Sequence, residues 1–296
     1  MKHKIITFGE LMLRLSPDNN ERFTQAHSYE AVYGGGEANT AVSLANFNVD
    51  TRYVTKLPKH TIGQSAVNSL RQYGVDVSRI VRGGDQIGIY FLEKKTSQRP
   101  TNVIYNRNGS AFALATKEDF DWDSIFDGAT WFHFSGITPA ISDNMAEITI
   151  EACKEAKKRG ITVSCDLNYR SKLWSSEKAN KVMSEVCRYV DICIANEDDA
   201  VGIFGMDASK SDKEKNAYIA EELTKMFPNF KMVASVWRTE TSITTFKLQS
   251  MIYTEGKAYY SQEFFMNILD YIGAGDAYCA GTVSYTHLRA HETAAN

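Results

Sequence analysis

Between residues 130 and 236 the chain alternates strand and helix patterns, and few architectures accommodate that. Thr130-Trp131-Phe132-His133-Phe134-Ser135 is a short apolar, aromatic run, the pattern of a buried strand. Residues 143–159 read as a helix. Met145, Ile148, Ala152 and Ala156 keep to one face, basic residues gather in the last turn, and Gly160 stops it. A strand over 161–167, a helix over 177–188, a strand over 190–195, a helix over 212–226 and a strand over 230–236 follow. Such alternation predicts βαβ units, hence an α/β fold with a mainly parallel sheet flanked by helices. Ligands of such open sheets bind beyond the carboxyl ends of the strands.

Two stretches interrupt the pattern. Residues 11–33 are polar and strand-like. Residues 86–108 alternate Ile87, Ile89, Phe91 and later Val103 and Tyr105 around a polar turn at 94–99. Both read as antiparallel strands outside the main sheet, forming a small β-sheet lid over its edge. One domain over 1–284, lid included, is the expected organisation. Residues 285–296 show no amphipathic period and no cap. They are expected to be a non-native tail on a C-terminally truncated domain, with ordinary terminal fraying as the alternative.

Composition excludes several partners. Lys+Arg of 33 against Asp+Glu of 36 leaves a net charge of −3, without the basic excess of a nucleic-acid or anionic-membrane binder. No apolar run approaches the roughly 20 residues of a membrane helix. The early run Ile5-Ile6-Thr7-Phe8 is too short for a signal-peptide core. Five cysteines form no CxxC pair and sit inside apolar patterns, as expected of reduced thiols in a cytoplasmic protein.

The sharpest motif is Gly273-Ala274-Gly275-Asp276-Ala277-Tyr278-Cys279-Ala280-Gly281, preceded by Leu269-Asp270. Small residues at 273–275 let backbone N–H groups converge at a helix start, a nest that favours a phosphate or a developing negative charge. Asp276 in the first turn is placed as a general base beside a phosphoryl group. A helix cap using Gly for packing and Asp for the dipole would read the same way. The second motif is Gly34-Gly35-Gly36-Glu37-Ala38-Asn39 before an Ala-rich helix. Glycines there permit close approach to a ligand, and Asn39 could set an amide on a polyol hydroxyl; a plain loop-to-helix junction is the alternative. No Lys follows in the place a Walker A loop requires.

Gly-Gly-x-x-x-Asn near the N-terminus, paired with Gly-Ala-Gly-Asp late in the chain, resembles the ribokinase or PfkB family of carbohydrate kinases over roughly residues 3–283. Within it the chain is most similar to 2-keto-3-deoxygluconate kinases. The supporting segments are Phe8-Gly9-Glu10-Leu11-Met12-Leu13-Arg14-Leu15, Ile104-Tyr105-Asn106-Arg107, Phe134-Ser135-Gly136-Ile137-Thr138-Pro139 and Asp166-Leu167-Asn168-Tyr169-Arg170. The resemblance implies a ribokinase-like fold and ATP-dependent phosphorylation of a sugar-acid hydroxyl, with Mg²⁺. By the same resemblance Gly34, Tyr90, Tyr105, Arg107 and Arg170 match substrate-contacting positions, joined by Gly35 and Asn39 of the glycine motif. Arg170 offers a planar fork for a carboxylate, although a surface Arg paired with a local acid is the plainer reading. Tyr90 and Tyr105 would serve equally as lid-core aromatics.

The nucleotide end departs from the family pattern. The family places Asn-x-x-Glu, used through water around Mg²⁺ and phosphates, where this chain has Asn196-Glu197-Asp198-Asp199. Asp199 is one methylene shorter than Glu, and an acid-rich helix start would look alike. The segment 233–242 lacks the glycine turn common in the family, leaving Arg238 and Thr239 as candidates for the nucleotide, with Asn196, Gly273 and Gly275. His133 on its apolar strand reads as a core residue. A homo-oligomer through the lid is a further expectation. A fructokinase-like neutral-sugar kinase and a catalytically silent sugar-binding module are the rival functions.

Overall fold

The computed structural model describes residues 4–96, 98–207, 215–242, 245–267 and 272–295, of which 287–295 are described by backbone only. In chain order the elements are β1 (Lys4–Phe8), β2 (Met12–Pro17), β3 (Tyr29–Gly34), α1 (Gly36–Asn46), β4 (Asp50–Val54), β5 (Lys56–Leu57), α2 (Thr61–Arg71) and β6 (Val81–Arg82). There follow β7 (Ile89–Glu93), β8 (Asn102–Asn106), α3 (Trp122–Ile125), β9 (Ala129–Ser135), α4 (Ile137–Ala140), α5 (Asp143–Lys158), β10 (Thr162–Asp166) and α6 (Ser176–Val186). The last are β11 (Ile192–Ile194), α7 (Glu197–Phe204), α8 (Lys215–Met226), β12 (Met232–Glu240), β13 (Thr245–Thr254), β14 (Lys257–Tyr260), β15 (Phe264–Asn267) and α9 (Ala274–Ala295).

The main sheet runs β14-β13-β12-β11-β10-β9-β1-β4, with β15 also pairing β13. From β4 to β12 every neighbour is parallel, as the alternation predicts. β9 is central, with Trp131 to Ser135 all buried, which is why it reads as a continuous apolar run rather than an alternating one. Phe8, Phe112, Phe120, Trp122 and Phe132 pack edge-on or tilted around Phe8 within one core. α5 begins where Ser142 Oγ accepts the Met145 N–H at 3.2 Å, and its buried stripe includes the four residues that mark the helix in the sequence. His133 is a core residue: Nδ1 meets Ser164 Oγ at 2.9 Å, and burial drives its pKa down to about 4.

A separate sheet of order β3-β2-β7-β8 stands apart from the main one. β2–β3 and β7–β8 are antiparallel hairpins, but β2 and β7 run parallel. That corrects the wholly antiparallel expectation. Between the hairpins the chain passes through α1, β4 and α2, so β7 returns from the same end as β2 and must lie parallel to it. Helix α9 carries helical backbone on through residues 285–295, where the sequence offers no amphipathic period. The start expected for the 212–226 helix lies outside the described residues. No helix among the described residues is long and apolar enough to cross a membrane.

Candidate active site

The first helical hydrogen bond of α9 runs from Ala277 N–H to the Gly273 carbonyl at 2.9 Å. The amides of the turn before it have no partner within the helix and point outward from its positive end. Gly273 takes φ +84°, a left-handed conformation that strains any residue with a Cβ. At Gly275 a Cβ would meet nothing within 4 Å, so the space above the turn is open to a ligand. Leu269 and Asp270 of this motif lie outside the described residues.

Asp276 is held from across the fold. Asn39 Nδ2 donates to Asp276 Oδ2 at 2.7 Å, and Thr40 Oγ1 reaches the Asp276 carbonyl at 3.3 Å. Burial raises the Asp276 carboxyl pKa, and the Asn39 hydrogen bond and the Arg170 charge pull it back. Asn39 thus holds the carboxylate, and it also lines the cavity beneath the lid. The glycine loop divides its work. A Cβ on Gly36 would lie 3.5 Å from Asp276 Oδ1, and one on Gly34 would lie 3.6 Å from Asn39 Oδ1 and 3.8 Å from the Tyr90 hydroxyl. A Cβ on Gly35 would come within 2.1 Å of the Glu10 carbonyl, so this position requires a glycine for the close approach of the two chain segments.

Register aligns the lid residues. Arg14 on β2 pairs with Val32 on β3 and Tyr90 on β7, and Tyr90 pairs with Tyr105 on β8. Paired residues share a face, so Val32, Arg14, Tyr90 and Tyr105 form one row across the lid. The Tyr90 and Tyr105 ring centroids are 5.9 Å apart. Val32, Arg14 and Tyr90 line a cavity of about 390 Å³ with Gly34, Asn39 and Gly273. Tyr105, Arg107 and Arg170 line a second, of about 340 Å³, with Tyr169 and Ile137. Of the residues matched to substrate contacts, Gly34, Asn39 and Tyr90 thus line the first cavity and Tyr105, Arg107 and Arg170 the second.

Arg14 is the residue that sequence reasoning missed. It is buried, its charge acts on the Tyr90 hydroxyl paired beside it, and its Nε has no hydrogen-bond partner. The available signal was a lone Arg at an inward position of a strand, between buried Met12 and Ser16. Arg107 departs from expectation in the other direction. It is an ion-pair partner of buried Glu10, with Nε donating to Oε2 at 2.7 Å, and Ser110 Oγ donates to Glu10 Oε1 at 2.5 Å. Its charge is largely committed within the protein. Arg170 is exposed, its Nη1 donating to the Tyr169 carbonyl at 3.2 Å.

Further acids frame the site. Glu37 is buried, and its Oε1 accepts from Ser135 N, Ser135 Oγ and Thr138 Oγ1 at 2.6–2.9 Å, tying α1 to the end of β9. Asp166 at the end of β10 is pushed up to about 8, chiefly by burial and then by the nearby Asp199 and Asp276 charges. Asp199 forms a capping box with Asn196 at the start of α7. Its Oδ2 accepts the Asn196 N–H at 3.0 Å and its Oδ1 accepts the Tyr169 N–H at 2.6 Å. The Asn196 side-chain oxygen accepts the Asp199 N–H at 3.1 Å, so both residues expected near metal and nucleotide are engaged in the helix start. Among the described residues no group of three or more His, Cys, Asp or Glu could hold a metal ion. Arg238 and Thr239 do not stand in a turn. β12 continues through Glu240, paired along its length with β13, and Arg238 lies over the Phe246 ring at 5.7 Å. Val236, Trp237 and Thr239 favour that extended pairing.

Comparison with known proteins fits this geometry. A family model described as pfkB family carbohydrate kinase matches residues 2–287. The crystal structure of 2-dehydro-3-deoxygluconokinase from Thermotoga maritima superposes with a TM-score of 0.93 at 44% identity, covering 97% of this chain and 87% of that one. The 2-dehydro-3-deoxygalactonokinase of Haloferax volcanii is 33% identical over 287 residues, 96% of this chain and 84% of the relative. The 2-dehydro-3-deoxygluconokinase of Thermoproteus tenax is 26% identical over 92% of this chain and 78% of its own length.

Proposed function

The chain belongs to the pfkB family of carbohydrate kinases, and from that premise we propose that it transfers a phosphoryl group from ATP to a hydroxyl of a sugar acid, 2-dehydro-3-deoxygluconate, giving the 6-phosphate. The observation that carries this reading is the Asn39-held Asp276 carboxylate at the start of α9, below a lid that presents Arg14, Tyr90 and Tyr105 in one row. Arg170, whose charge acts on the base, and Arg14, which lines the cavity shared by Asn39 and Gly273, suit an anionic polyol better than a neutral sugar. Relatives named for 2-dehydro-3-deoxygluconate support the same substrate.

In the proposed reaction Asp276 accepts the proton of the attacking hydroxyl, and a carboxyl raised by burial is a stronger base than an ordinary one. Amides of the turn at Gly273, Ala274 and Gly275 face the charge that spreads over the transferring group. Arg170 orients the sugar-acid carboxylate from the cavity it shares with Tyr105. Among the described residues no carboxylate cage for Mg²⁺ forms; an ion in this site would ride on the nucleotide's phosphates and water, where it would offset phosphate charge. Five free, buried cysteines support a reducing, cytoplasmic setting. The test is a coupled ADP-release assay across sugars and sugar acids. The sugar acid should give the highest kcat/KM, and a preference for fructose or ribose would overturn the substrate assignment.

A further inference from the structure

The loop after β10 carries Arg170, and its shape is set from outside. Asn168 takes a left-handed φ of +40°, and its side-chain amide donates to Asp166 Oδ2 at 3.0 Å. The Tyr169 N–H donates to Asp199 Oδ1 at 2.6 Å. The Tyr169 ring lies against α7 at Gly202, where a Cβ would come within 2.4 Å of it, and the Tyr169 hydroxyl meets Ser176 Oγ at 3.1 Å. Arg170 therefore follows a residue whose amide and ring are both fixed by α7.

Asp199 is 3% exposed, and each of its oxygens already accepts a backbone N–H. A group so enclosed has no open face for a hydrated ion. The shorter side chain keeps the carboxylate close to its own helix start, where it closes α7 and grips the neighbouring loop in one contact. We propose that Asp199 and Gly202 are positioning residues for Arg170, so that α7 sets where the substrate carboxylate is held, and that Asp199 does not serve Mg²⁺. The inference rests on the reading of Arg170 as the carboxylate contact and deepens it.

Calorimetric binding of 2-dehydro-3-deoxygluconate to the full chain, without nucleotide or Mg²⁺, tests it. Asp199→Asn replaces one accepting oxygen by an amide that faces an N–H. Gly202→Ala pushes the Tyr169 ring and alters no ionisable group. Each should weaken acid binding about tenfold or more, the scale of one charge-assisted contact. A neutral hexose should change less, and the Mg²⁺ concentration giving half-maximal ADP release should stay at the parent value. Unchanged acid binding in both variants overturns the proposal, as does a raised Mg²⁺ requirement in Asp199→Asn. Gly202→Ala alone carries the decision if Asp199→Asn lacks a cooperative melt. Arg170→Ala separates the two levels. If it leaves acid binding intact, the reading beneath fails and the inference with it. If it weakens binding while both positioning variants do not, the inference alone fails.

Discussion

Asp276 illustrates how single residues are tuned here. Burial raises its pKa, while the Asn39 amide and the Arg170 charge favour the ionised form. As a general base it must be unprotonated, so kcat/KM should fall on acidification with a midpoint above the ordinary carboxylate value. Asn39→Ala removes a donor that favours the charged form, so the acid limb should move to higher pH. A limb at the parent position would show that Asn39 does not tune the base. Asp276→Asn keeps the shape and removes the proton acceptor. Turnover should drop by about 10²–10⁴ with little change in sugar binding, and activity within a few-fold of the parent would remove Asp276 from the chemistry. Arg14→Gln keeps an unbranched polar side chain, though a shorter one, and removes its charge. It should cost the sugar acid about 10-fold or more in kcat/KM and a neutral sugar much less; equal losses would make Arg14 a scaffold for Tyr90. The helix-start motif around Asp276 was legible because it lies within a few consecutive residues, whereas the Asn39 contact that holds the carboxylate spans 237 positions and was not. Arg14 was not, because its place beside Tyr90 depends on a strand pairing across 76 positions of chain. The Glu10–Arg107 pair was hidden for the same reason, since two opposite charges far apart in sequence leave no periodic signal.

Strands and helices bring these residues together through their ends. β10 finishes at Asp166, whose ordinary pKa of 3.8 rises to about 8 in the fold. Across that window the folded protein holds a proton that the unfolded chain has released, so stability falls as pH rises from about 4 to about 8. Asp166→Asn has no such proton to lose. Its melting temperature relative to the parent should therefore improve between pH of about 5 and about 8, as calorimetry at the two values would reveal; a constant difference would show that Asp166 titrates normally. The parallel elements were legible because the strands are short and largely apolar, and α5, α6 and α7 each have buried apolar residues and a side-chain N-cap. Two features were not. The parallel join of β2 to β7 depends on where the chain re-enters the lid, which no local pattern encodes. The extension of β12 through Glu240 depends on β13 supplying a partner, and a missing glycine turn in the sequence gave only its negative outline.

Across the whole molecule, the lid meets the rest of the fold through an apolar cluster that includes Ala38, Ala41 and Tyr53, with Leu13, Tyr33 and Ile89 of the lid packed against it, and polar ties lie beside it. Glu10 pairs with Arg107 beside the lid, Gly35 packs on the Glu10 carbonyl, and Asn39 reaches Asp276. Below them lies a core in which Cys153, Cys165, Cys187 and Cys193 are all buried in one cluster, with Cys279 buried at the start of α9. Burial pushes all five thiols up. The thiolate is the form that reacts, so the native interior withholds these sulfurs from an alkylating reagent. Labelling of the four core cysteines should then proceed together, at a rate that rises with denaturant in step with global unfolding. Mass spectrometry of partly labelled samples would resolve this. Fast modification of one core cysteine alone would reveal a local opening. An interior without disulfides thus acts as a chemical timer, in which each alkylated sulfur marks a moment when the protein came apart.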